Sequence, residues 1–143
     1  MPTPITSVES TGPDGEIVDD DATHRFMLES VLGSWGYSTD EADDGETALQ
    51  MIQSSDYALV LMDFRMKTLS GLEALFEIKN LYRSIPVILM SACWSGKAIT
   101  QARKNGASAV LYKPLSLGDL RNTIRIALAQ RCQQLLDLQS DFK

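Results

Sequence analysis

Short apolar runs along this chain each stop at a residue with chemistry of its own, and that recurrence narrows the folds open to it more than any other feature. Ile17-Val18 is followed by Asp19 and Asp20, the run from Ala58 to Met62 by Asp63, and Val110-Leu111-Tyr112 by Lys113. Side chains just past the carboxyl ends of neighbouring parallel strands point into one crevice, however distant they are in sequence. The pattern therefore predicts acidic groups and a lysine gathered at one end of a sheet, a place suited to a metal ion and a phosphoryl group.

The segments between those runs carry helical spacing. Met27, Leu28, Val31, Leu32 and Trp35 recur as one face of a helix over Ala22 to Trp35, weakened by Gly33 and ended by Gly36. Tyr37 to Ala42 reads as a strand, Asp44 to Ser54 as a helix with Ala48, Leu49 and Ile52 inward, and Tyr57 to Met62 as a strand apolar on both faces. Leu72 to Tyr82 follows as a helix, Pro86 to Met90 as a strand opened by its proline, and Lys97 to Asn105 as a helix stopped by Gly106. Ala109 to Tyr112 makes the fifth strand, and a helix capped by Ser116 starts near Leu117. Five alternations of strand and helix predict an α/β fold with a doubly wound parallel sheet and helices on both faces.

With 143 residues, 44% of them hydrophobic, the chain has room for one core and none for a second catalytic domain. A net charge of -6 argues against a surface that grips nucleic acid unaided. Cys93 and Cys132 lack the spacing of a zinc or redox motif and read as separate reduced thiols. No apolar stretch is long enough to cross a bilayer and the N-terminus has no signal-peptide pattern, so the protein reads as cytoplasmic with no membrane partner. Residues 1–15, rich in Pro, Thr, Ser and Gly, read as a disordered leader, and the fold is expected to begin near Glu16. The last helical pattern continues through Leu128, Leu135 and Leu138, so residues 130–143 read as a helical extension: the start of a linker, a seam for a second copy or, equally, a solvated, fraying tail.

In order and spacing, the acidic cluster Val18-Asp19-Asp20-Asp21, the Leu-Met-Asp-Phe-Arg-Met run around Asp63, Gly71, Met90-Ser91-Ala92 and Lys113-Pro114 resemble the receiver domain of bacterial two-component response regulators. The resemblance covers roughly residues 16–129 and implies a flavodoxin-like sheet of strand order 2-1-3-4-5. It implies that Asp63 accepts a phosphoryl group from a sensor histidine kinase. It also implies that Asp20 and Asp63 bind Mg²⁺ directly, Asp19 through water, with the Arg65 carbonyl completing the set, while Lys113 and Ser91 hold phosphoryl oxygens. The wording around Trp35-Gly36-Tyr37, Asp63 to Met66 and Gly71 to Leu75 looks most like receivers of sigma-54-dependent transcriptional activators.

Elementary chemistry leads to the same roles. Two unit charges about 4 Å apart repel by roughly 4 kcal/mol at an effective dielectric near 20, so a cation is the natural relief for clustered carboxylates. Oxygen donors without cysteine or histidine favour Mg²⁺. Duller readings stand beside these: Asp21 as the cap of the first helix, His24 as a solvated surface residue, Trp94 as an exposed loop aromatic marking a contact surface. A Mg²⁺-dependent phosphohydrolase working through an aspartyl phosphate is the enzyme alternative, but its DxD pattern fails here because Arg65 occupies the second acidic position.

The chain departs from the family's pattern in places. Gly15-Glu16 stand where apolar residues are usual, which predicts a short or poorly ordered first strand. Lys67 replaces the proline usual after Met66 and loosens that loop. Val110 replaces the aromatic that is often coupled to the Ser or Thr switch. Arg65 and Cys93 flank the path of a hydrolytic water and are expected to set the phosphoryl lifetime.

Overall fold

A computed structural model describes residues 13–82 and 84–140, the side chains of 138–140 excepted. Five parallel strands form one sheet of order β2-β1-β3-β4-β5, and five helices connect or follow them. The strands are β1 (Gly15–Val18), β2 (Thr39–Ala42), β3 (Leu59–Asp63), β4 (Val87–Ser91) and β5 (Ala109–Tyr112). The helices are α1 (Ala22–Ser34), α2 (Gly45–Ser54), α3 (Gly71–Leu81), α4 (Gly96–Lys104) and α5 (Leu117–Ser140).

Strand alternation divides the core in two. Val18, Val60, Met62, Val87 and Leu89 face α2, α3 and α4, packing on Ala48, Ile52, Ala74, Leu75, Ile78 and Ala102. Ile17, Leu59, Leu61, Ile88 and Met90 face α1 and α5, packing on Leu28, Leu32, Leu120, Ile124 and Ala127. Each central strand is thus buried on both sides, which explains its continuous apolar run. β1 is short as expected, but it pairs with β2 and β3 and all four of its residues are buried.

The helix starts follow local chemistry. Asp21 caps α1 by accepting from the Thr23 and His24 N–H groups, Asp44 caps α2, and Ser70 with Glu73 forms a reciprocal capping box on α3. α4 ends before Gly106, whose φ of 100° is the left-handed geometry anticipated for it. Gly71 has a different reason to be glycine: a Cβ there would lie 2.6 Å from Phe64 Cα and 2.7 Å from the Asp63 carbonyl oxygen. Its N–H donates to the Phe64 carbonyl at 2.8 Å, so the start of α3 presses directly on the chain leaving β3.

The proposed leader falls mostly on residues 1–12, outside the described ones. Asp14 already donates through its N–H to the Ser38 carbonyl at 2.8 Å, and β1 opens at Gly15. α5 runs 24 residues, and beyond Ala127 none of its described side chains is buried. Leu135 and Leu136 are exposed. Among the described residues, no helix is long and apolar enough to cross a membrane.

Candidate functional site

Because β1 and β3 are neighbours and β4 and β5 follow, the carboxyl ends of four strands deliver Asp19, Asp63, Ser91 and Lys113 to one place. The Lys113 ammonium lies 3.2 Å from Asp19 Oδ2, across 94 positions of sequence, and 3.4 Å from Asp63 Oδ2. Asp19, Asp20 and Asp63 each offer a carboxylate oxygen within 4.8 Å of the others. Asp19 and Asp63 are buried and Asp20 is exposed. The donor set is all oxygen and part open to solvent, which fits a hard divalent cation that keeps some of its waters.

Opposing forces set the proton affinities of the two buried acids. Burial works to raise the Asp19 carboxyl, but hydrogen bonds from His24, the Asp21 N–H and Lys113, together with the Lys113 charge, bring it down to about 2. Asp63 is shifted upward by burial and by the Asp19 charge, against the pull of Lys113 and the Arg65 N–H. The group expected to attack is therefore the one least comfortable as an anion, and a nearby cation would relieve it.

His24 is where the sequence reading fails. It is not a solvated surface residue: its ring is half-buried, and Nδ1 stands 2.5 Å from Asp19 Oδ2, the same oxygen that meets Lys113. As the third residue of α1, His24 sits in the turn that folds back over the end of β1. Arg25 reinforces that turn by donating to the Asp19 carbonyl at 2.6 Å and pairing with Glu41 at 3.1 Å. Its proximity to Asp19 has no signal in spacing alone.

Ser91 is buried at the end of β4, with its hydroxyl committed to its own loop: Oγ donates to the Cys93 carbonyl at 3.1 Å and accepts from the Cys93 N–H at 3.2 Å. Trp94 corrects a second expectation. It is half-buried, its ring centroid 4.6 Å from that of Phe64, and its indole N–H donates to the Leu111 carbonyl at 2.9 Å. Arg65 and Cys93 are both exposed beside the crevice, and the Arg65 N–H donates to Asp63 Oδ1 at 3.3 Å.

A further buried acid went unassigned. Glu16 is 1% exposed on β1, facing the α2 side, and neither carboxylate oxygen has a hydrogen-bond partner among the described residues. Burial, and secondarily the Asp40 charge, push its carboxyl up to about 8. The only hint in the sequence was its place in an otherwise apolar strand.

The chain is similar to known proteins over most of its length. A family model described as the response regulator receiver domain matches residues 16–125. The transcriptional regulatory protein ZraR of Escherichia coli (strain K12) is 40% identical over 113 residues, which are 79% of this chain and 26% of that protein. The regulatory protein AtoC of the same strain is 32% identical over 127 residues, 89% of this chain and 26% of AtoC. The chain thus spans about a quarter of the length of these relatives. The crystal structure of the receiver domain of NtrX from Brucella abortus superposes with a TM-score of 0.77 at 29% identity, covering 81% of this chain and 98% of that one.

Proposed function

The chain belongs to the response regulator receiver domain family, whose members interact with sensor kinases, and from that premise we propose that Asp63 is its phosphoacceptor. The observation that carries this reading is the Lys113 ammonium placed between Asp19 and Asp63, 3.2 and 3.4 Å from their oxygens. A carboxylate oxygen of Asp63 attacks the phosphorus of a phosphohistidine on a sensor histidine kinase, forming an acyl phosphate and releasing the imidazole.

Asp19, Asp20, Asp63 and the Arg65 carbonyl are the groups that would hold Mg²⁺. When bound, that ion neutralises phosphoryl charge. Lys113 pairs with one phosphoryl oxygen as a point charge. The Ser91 hydroxyl donates to another once it leaves Cys93, and Arg65 and Cys93 govern access of the water that ends the modified state. The domain changes only its own covalent state and turns over no metabolite.

Within a longer chain, residues 16–129 form the receiver, and the extension expected over 130–143, of which 141–143 lie outside the described residues, begins a connection that supports a homodimer. The regulatory names of ZraR and AtoC favour a transcriptional output, of the sigma-54-dependent kind, carried by other domains in the cytoplasm. This domain itself touches neither nucleic acid nor membrane. The test is intact mass after incubation with acetyl phosphate and Mg²⁺: the parent gains one phosphoryl group and Asp63→Asn none. An adduct that persists on Asp63→Asn overturns the assignment.

A further inference from the structure

Trp94 belongs to no step described so far, yet it ties three parts of the site together. Its indole N–H donates to the Leu111 carbonyl of β5 at 2.9 Å, and its ring meets Phe64 with centroids 4.6 Å apart and planes inclined by 42°. Phe64 is itself fixed. Its N–H donates to the Met90 carbonyl at 2.8 Å, its carbonyl accepts from Gly71 at 2.8 Å, and no side chain at Gly71 could replace that close approach. Trp94 also packs with Val110 against the core under α3 and α4.

The segment from Ala92 to Ser95 leaves β4 between two held points, Ser91 and Trp94. A hydroxyl has one proton to give, and that of Ser91 is spent on the Cys93 carbonyl at 3.1 Å. To donate toward a group on Asp63, Ser91 must release the Cys93 carbonyl, leaving only the Cys93 N–H bonded to its oxygen. Ser95 still caps α4 by accepting from the Ala98 N–H, and Trp94 is the side chain that ties the loop to Phe64 and β5, so strain from the released end falls on the indole.

We propose that Trp94 is a positioning residue that holds the Ala92–Ser95 loop against Phe64 and the Leu111 carbonyl, so that the turn of the Ser91 hydroxyl toward Asp63 displaces the indole. This rests on the phosphoacceptor reading of Asp63. The hydroxyl motion reaches β5 through the indole N–H rather than through a side chain of that strand.

The experiment uses the full chain in a Trp35→Phe background, which leaves Trp94 as the only tryptophan. Intact mass and tryptophan emission are read on the same sample after acetyl phosphate and Mg²⁺. In the parent background the adduct forms together with a shift in emission. Ser91→Ala takes the adduct more slowly, having lost a donor to the phosphoryl group, and at equal adduct shows no shift. In a separate sample, Trp94→Leu slows adduct formation roughly tenfold, as a misplaced catalytic group does, with Mg²⁺ affinity unchanged, and Trp94→Phe restores most of the rate.

An adduct without an emission change, or an equal change in Ser91→Ala, overturns the role of Trp94 and leaves Asp63 as the acceptor. An unslowed Trp94→Leu does the same. Absence of any adduct overturns the phosphoacceptor reading and this inference with it.

Discussion

Glu16 and Asp19 lie three positions apart on one stretch of backbone, both almost wholly buried at 1% and 0% exposure, and their proton affinities move in opposite directions. Asp19, just past the strand, is met by the Lys113 ammonium, the His24 ring and the Asp21 N–H, and its carboxyl falls to about 2. Glu16, inside the strand, has no hydrogen-bond partner for either oxygen among the described residues and rises to about 8. Burial alone pushes both the same way. What separates them is that the end of a parallel sheet is open to side chains from several elements, whereas the middle of a central strand is walled by helices.

The contrast has consequences for stability. Asp19, depressed on folding, contributes stability above the ordinary carboxylate pKa of 3.8 that is lost as pH falls toward about 2. Glu16, raised on folding, contributes stability that is complete below 4.5 and is lost as pH rises toward about 8. One short stretch of backbone, Glu16 to Asp19, therefore weakens the fold at each extreme, for unrelated reasons.

The largest expected effect is at Glu16. A rise from 4.5 to about 8 corresponds to roughly 4–5 kcal/mol against the charged form. Glu16→Leu should therefore stabilise the domain by several kcal/mol at pH 9 and far less at pH 5. Urea midpoints across that range would show the parent losing stability with rising pH while the variant stays nearly level. A parent profile flat between pH 5 and pH 9 would mean that Glu16 is not buried as a lone acid.

Asp19→Asn comes next and works through the other environment. Removing one oxygen anion from the cluster should weaken Mg²⁺ binding about 10- to 100-fold, read by titration of the metal alone. It should also remove the acid-side loss of stability assigned to Asp19. Unchanged Mg²⁺ affinity would detach Asp19 from the metal-holding group.

Much of the sheet end was legible because the alternation of periods predicts a parallel sheet whose strand ends share a crevice, and the strand order implied by the family resemblance brings Asp19, Asp20, Asp63, Ser91 and Lys113 together there. The caps at Asp21 and Ser116 were legible for a similar reason: a cap depends on residues only two or three positions away. His24 and Trp94 were misjudged because their exposure depends on what lies across a gap in sequence, the carboxylate of Asp19 in one case and Phe64 and Leu111 in the other. Glu16 was noticed as an oddity, but charge argues for the surface. Its burial follows only once β1 is known to lie between β2 and β3, with Glu16 on the same face as Val18.

The smallest effect tests where the dry region around Glu16 ends. Asp40, opposite Glu16 in register, accepts the Tyr57 hydroxyl at 2.7 Å. Tyr57 is fully buried, and burial together with that hydrogen bond raises its phenol. Asp40 is only half-buried, so on loss of the hydroxyl its oxygen can turn to water. Tyr57→Phe should then lower stability by about 1 kcal/mol, the net value of an ordinary hydrogen bond, with an unchanged denaturant slope. A loss above about 3 kcal/mol would instead extend the waterless region to Asp40. Two acids would then share it, and Glu16→Leu in the same background should recover much of that loss.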